Sequence, residues 1–238
     1  MNDSASADRF RQLRTHLRCT PAGGVQFRER QACFVRIVRL LNDWPAGEER
    51  ERAFAEARTE LAGWNSTFRE TTASWGSNTV QGVDGTVFDT LSLVGSLVVK
   101  RPASDSPAPN LSALLRSPHG AEIQALHVFD VPLSLPELAR GPACGKLLGL
   151  ELNQAIDAAS DWSALGAWSG LGTLQGVSVL GGNPRSLDTP FWDLMNRVPG
   201  LHSLVFSEQT GARASSTRSV SVPLSLTGSM SSISARPS

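Results

Sequence analysis

The sequence predicts an α/β protein built from stacked units of one short strand and one helical piece, preceded by a helical region. Three observations predict it. Five aliphatic triplets recur at a nearly fixed interval between residues 94 and 206, helix-compatible segments fill the gaps between them, and residues 8–70 carry amphipathic helical stripes.

Composition sets the outer limits. The chain has 238 residues, 40% of them apolar and 18% charged, so it can fill a sizeable core in one or two domains. Neither wholesale disorder nor a disulfide-held miniprotein fits. The 22 basic and 22 acidic side chains cancel, which argues against a dedicated nucleic-acid binder. Three cysteines without paired spacing give no oxidised framework and suggest a reducing compartment. MNDSASADRF lacks a basic segment followed by an apolar one, and no apolar run approaches the roughly 18 residues of a membrane span. A cytoplasmic protein with no membrane partner is expected. Arg outnumbers Lys 20 to 2 and Tyr is absent, a bias that points to a GC-rich, bacterial coding sequence.

Residues 1–80 form the helical region. Phe10, Leu13 and Leu17 recur at helical spacing until Pro21-Ala22-Gly23-Gly24 breaks the chain. A second helix is expected from about Arg28 to Asn42, with Phe34, Val35, Val38 and Leu41 along its apolar stripe. A third follows Pro45, which suits a first helical position, with Glu48, Glu49 and Glu51 complementing the dipole and Phe54, Ala57, Leu61 and Trp64 facing inward. Its charge run from Glu48 to Glu60 reads as a solvated face. From about Asn65 to Gly85 the chain turns polar and rich in Gly, Ser and Thr, with Trp75 as its one large apolar residue, and a boundary is expected there.

Residues 87–208 carry the repeats. The triplet has the form LxxLxL: Val94, Leu97, Val99; Ile123, Leu126, Val128; Leu147, Leu150, Leu152; Leu174, Val177, Val179; Leu201, Leu204, Phe206. Their first positions are separated by 29, 24, 27 and 27 residues. Chance alone supplies about two such triplets in a chain of this composition, and Val35-Val38-Leu40 and Val128-Val131-Leu133 are two strays. Five at regular spacing are much harder to obtain by accident. The helix-compatible segments between and beside them are 110–117, 135–139, 162–168 and 189–197, with Leu111, Leu114, Leu115, Leu135, Leu138, Leu165, Trp168, Trp192 and Met195 able to turn inward. One strand and one helical piece cannot bury their own apolar side, so stacking must complete the core. Within each strand the second and third triplet residues point inward and the residue between them outward.

Over about Val94 to Phe206 the chain resembles the leucine-rich repeat family, in the longer, helix-containing form of the repeat. The resemblance implies a right-handed solenoid with a short parallel sheet on the concave side, helices outside, and a protein partner bound on the concave sheet. The N-terminal helices resemble the segment that precedes such repeats in small bacterial members, and Leu115-Arg116-Ser117-Pro118-His119 resembles a repeat junction there. Its purpose would be to cap the first strand, since an open solenoid end exposes an apolar edge. The family's turn Asn is replaced here by Pro102, Val131, Ala155, Gly182 and Gln209, which predicts irregular turns.

After Phe206, residues 209–238 form a Ser-rich tail. Val220 to Leu226 alternates polar and apolar residues, and with Pro223 in it, residues 219–226 are expected at most as an edge strand, with 210–218 and 227–238 mobile.

Other chemistries fail on their residues. Val83-Asp84-Gly85-Thr86-Val87-Phe88-Asp89 resembles the first motif of haloacid-dehalogenase-like phosphatases, but Gly82 stands where that family needs its nucleophilic Asp. Gly170 to Gly176 is glycine-rich but precedes a strand rather than opening a helix, so it reads as a turn and not a phosphate loop. His16, His119, His127 and His202, with Cys19, Cys33 and Cys144, show no metal-ligand spacing. No catalytic residue, metal or cofactor is implied.

What remains is the outward side of the strands. Its candidate partner-binding residues are Val98, Lys100, His127, Phe129, Glu151, Asn153, Ser178, Leu180, Val205 and Ser207. A floor of small residues with Phe129 and Leu180 as apolar anchors suits a docked protein segment better than a phosphate backbone. The expected function is therefore non-enzymatic binding of a protein partner through this face. The alternatives are a regulatory or assembly subunit that self-associates through an open C-terminal end, and an enzyme whose site is not recognisable.

Overall fold

A computed structural model describes residues 3–19, 26–73, 80–82, 86–101, 109–142, 144–156, 161–182, 189–210 and 214–220. Three helices open the chain: α1 (Asp3–Leu17), α2 (Gln26–Asn42) and α3 (Glu48–Leu61). Their apolar stripes meet in one core that contains Leu13, Leu17, Phe34, Ile37, Val38, Leu41, Ala53, Ala57 and Leu61. Ile37 takes the place expected for Val35, which is half-buried. The Phe10 and Trp44 rings meet edge-on at 4.9 Å. Helix α3 starts later than Pro45 suggests, because Gly47 caps it with a φ of 142° that glycine adopts at little cost.

The polar stretch expected to be a boundary instead carries a 3₁₀ turn (Ser66–Arg69) and the first strand, β1 (Glu70–Ala73). Asn65 starts the turn by accepting from the Thr67 N–H at 3.0 Å. From there six strands run parallel in sequence order: β1, β2 (Ser96–Lys100), β3 (Ala125–Phe129), β4 (Gly149–Asn153), β5 (Gly176–Gly182) and β6 (Ser203–Thr210). The molecule is α/β with a parallel sheet. Triplet residues stack across it in two columns, Leu97-Leu126-Leu150-Val177-Leu204 and Val99-Val128-Leu152-Val179-Phe206. All of them are buried except Phe206, which is half-buried.

The connections fill the core side of the sheet. They are α4 (Leu111–Arg116), α5 (Leu135–Arg140), a 3₁₀ turn (Trp162–Ala167) and α6 (Thr189–Met195). The first three start on side-chain caps: Asn110, Ser134 and Asp161 accept from the N–H groups of Ala113, Glu137 and Ser163. Leu111, Leu114, Leu115, Leu135, Leu138, Trp162, Leu165 and Trp168 turn inward. Helix α6 departs from the expected phase. It buries Phe191, Leu194 and Met195, and Trp192 is left 38% exposed. The Phe191 ring packs edge-on against Trp162 at 4.7 Å, which fixes that choice.

The turns after β3, β4 and β5 bend without the Asn, and the one after β5 carries a register shift between Leu180 and Gly182. The residues that follow the outermost strand positions in β3 and β4, Asp130 and Gln154, take left-handed φ values of 56° and 50°, and Gly181 in the equivalent place has 65°. Ahead of the strands, the carbonyls of Gly95, Gln124, Leu148 and Gln175 each accept from two successive N–H groups of the next unit. Backbone groups thus satisfy one another at the entry to each of these strands.

Side-chain contacts tie α2 and α3 to the segment that leads into β2. Arg50 of α3 grips both oxygens of Asp89 at 2.7 Å, and Thr90 donates to Asn42 at 2.8 Å. The guanidinium holds the Asp89 carboxyl below the usual carboxylate range.

Beyond β6 the chain turns back as β7 (Ala214–Val220), antiparallel to β6 with Leu204 opposite Val220. Of the stretch 210–218, expected to be mobile, Thr210 ends β6 and 214–218 belong to β7, while 211–213 lie outside the described residues. Antiparallel pairing along β6 satisfies backbone groups without any hydrophobic alternation. Of the strand expected at 219–226, only 219 and 220 fall within β7; 221–226, with Pro223, and 227–238 lie outside the described residues. Among the described residues no helix is long and apolar enough to cross a membrane.

Candidate functional site

Because strand residues alternate sides, the sheet presents one row per outward register position, with neighbours about 4.8 Å apart. The central row reads Thr72, Val98, His127, Glu151, Ser178, Val205 across six strands. The row beside it reads Lys100, Phe129, Asn153, Leu180, Ser207. All ten residues singled out from the sequence therefore lie in two adjacent rows of one sheet. Lys100 is exposed; Val98, His127, Phe129, Glu151, Asn153, Ser178, Leu180 and Val205 are half-buried.

The third row is Glu70, Ser96, Ala125, Gly149, Gly176, Ser203. Ser96 is buried, and its hydroxyl donates to Glu70 at 3.2 Å. The other Glu70 oxygen accepts from Gln31 of α2 at 3.0 Å, so α2 covers this end of the row. In the middle the floor is low by composition rather than by packing need: a Cβ on Gly149 would meet nothing within 4 Å.

Across β3 and β4, His127 Nδ1 lies 2.7 Å from Glu151 Oε2. This pair is the one polar device that spans two strands in the central row, and it depends on register that the sequence alone does not supply. Its order matters chemically. Glu151, not His127, neighbours Ser178, and Val98 flanks His127 on the other side. The Ser178 hydroxyl therefore lacks the adjacent imidazole base that nucleophilic catalysis uses. The face offers instead a hydrogen-bonded polar pair, with apolar side chains near it and, at one end, the Lys100 ammonium, which has no ion pair among the described residues.

The remaining candidates fall elsewhere. Gly170 belongs to a 3₁₀ turn ahead of β5, and a Cβ there would come 2.3 Å from the Trp168 ring, so the glycine serves packing. Val83 to Gly85, and Trp75, lie outside the described residues. Burial pushes the Cys144 thiol up to about 12. Cys33 is pushed up to about 11 by burial and by its hydrogen bond with Cys19 across α1 and α2, a proximity that the sequence spacing hides. Among the described residues no group of three or more His, Cys, Asp or Glu is placed to hold a metal ion. No protein-family model, curated protein or solved structure matches the chain.

Proposed function

We propose that this chain is a non-enzymatic, cytoplasmic protein-interaction module: an irregular leucine-rich repeat solenoid with an N-terminal helical cap, which docks a segment of a partner protein on its concave sheet face. The observation that carries the reading is the outward face of six parallel strands, where one row places Phe129 and Leu180 on either side of Asn153. Half-buried apolar anchors around satisfied polar groups are the make-up of an interface centre. Lys100 at one end would set the polarity of the docked segment.

The test uses the partner isolated from the host on the intact protein. Changing Phe129 and Leu180 together to Ser should weaken affinity at least about fivefold, or ~1 kcal/mol. Arg140→Ser, on exposed α5 behind the sheet, should leave it unchanged. Equal affinity of the double variant and the original protein would remove the face from the function. A second reading, assembly through the C-terminal end, draws on exposed Trp192, whose ring meets Phe206 at 5.8 Å beside the last parallel strand; sedimentation that does not change with concentration would exclude it.

A further inference from the structure

Away from the sheet face, a cleft of about 620 Å³ opens where α3, the Ser66–Arg69 turn, the segment before β2 and the segment before β3 meet. Its walls carry Arg58, Arg69, Ser92, His119, Glu122 and Gln124. These groups come from four separate stretches of chain, and the apolar repeat pattern requires none of them.

Arg69 is the anchor. One of its terminal nitrogens donates to the Leu93 carbonyl at 3.1 Å, its Nε is buried without a hydrogen-bond partner, and it has no ion pair among the described residues. Burial pushes this guanidinium below its ordinary value, and the nearby Glu122 carboxylate opposes that push only in part. Glu122 is the one acidic side chain in the wall, and it turns to Lys146 at 2.8 Å. Arg58 sits exposed in the last turn of α3, where no carboxylate pairs with it among the described residues. A half-buried cation with unused donors, beside a second cation and an imidazole, leaves the cleft short of negative charge.

We propose that this cleft binds a small organic molecule through its phosphate group, with half-buried Arg69 as the anchor and Arg58 and His119 as further donors. Donors converging from different walls suit a tetrahedral group with three oxygens, whereas a planar carboxylate would use one guanidinium fork. The volume lies in the range that encloses a whole small ligand, so an organic monoester fits better than a bare ion. This site is separate from the sheet face and does not rest on the docking proposal.

The experiment is calorimetric titration of the intact chain with glycerol 3-phosphate, inorganic phosphate and citrate at low salt. Glycerol 3-phosphate should bind saturably with a Kd below about 1 mM, more tightly than inorganic phosphate and citrate. Arg69→Met, which keeps the aliphatic stem, should weaken it at least about tenfold, and Arg58→Gln about threefold. Added salt should weaken it further. Lack of saturable binding up to about 10 mM overturns the site. Citrate binding as tightly as the phosphate ester overturns the phosphate assignment. Should Arg69→Met fail to fold, Arg58→Gln decides on its own, and unchanged affinity in that variant overturns the proposal.

Discussion

Trp162→Ala should destabilise the protein by about 3–5 kcal/mol, a large part of the roughly 5–15 kcal/mol that holds a typical domain together. Trp162 is the largest of the fully buried side chains, and it opens the 3₁₀ turn between β4 and β5. Asp161, the residue before it, caps that turn, so the ring is held in place by backbone that cannot slide to fill a void. Its other restraint is Phe191 of α6, edge-on at 4.7 Å. Removing the indole therefore leaves a cavity between two consecutive connections and frees α6 to shift phase. Urea unfolding followed by circular dichroism checks this, with a lower midpoint at unchanged slope as the expected result. A cost below ~1 kcal/mol would mean that the turn packs elsewhere.

Leu126→Ala should cost about 2–5 kcal/mol. Leu126 has no exposure and sits in the third strand of the parallel sheet, between Leu97 and Leu150 in its column. Strands on both sides and the connections below prevent collapse around the missing methyl groups. Leu204, the last member of that column, lies on the last parallel strand, so Leu204→Ala should cost less. Equal losses at the two positions, or a loss under ~1 kcal/mol at Leu126, would contradict the stacking.

The triplets were legible because a strand that buries its second and third triplet residues leaves an aliphatic mark wherever both are Leu, Ile or Val. Strand β1 escaped that filter because its inward residues are Thr71 and Ala73, which fill the same register places opposite Leu97 and Val99 with less volume. Strand β7 escaped it because its pairing with β6 is a backbone affair, in a segment of Ser, Thr and Arg. The exchange of Trp192 for Phe191 reflects helix length, since two turns of α6 are too few for periodicity to fix which face turns inward. The bends after β3, β4 and β5 do without the turn Asn, because Asp130, Gln154 and Gly181 take the left-handed conformation there.

The ten outward residues followed from alternation alone. Their mutual contacts did not, because intervals of 24 and 27 residues say nothing about which outward side chain faces which. The hydrogen bond from His127 to Glu151, the burial of Ser96 under Glu70, and the Cys19–Cys33 contact all depend on how separate segments meet. The basic cleft is the extreme case, since four distant stretches contribute to it and no spacing in the sequence links them.

The docking proposal is tested most directly by mapping which side of the sheet touches the partner. A photoreactive benzoylphenylalanine is placed singly at Val98 and Ser178 on the outward face, and at Arg140 on the helical side, and each protein is irradiated in complex with the purified partner. Cross-links from Val98 and Ser178, with none from Arg140, are the expected result. Cross-links from Arg140 with silence at both sheet positions would contradict it.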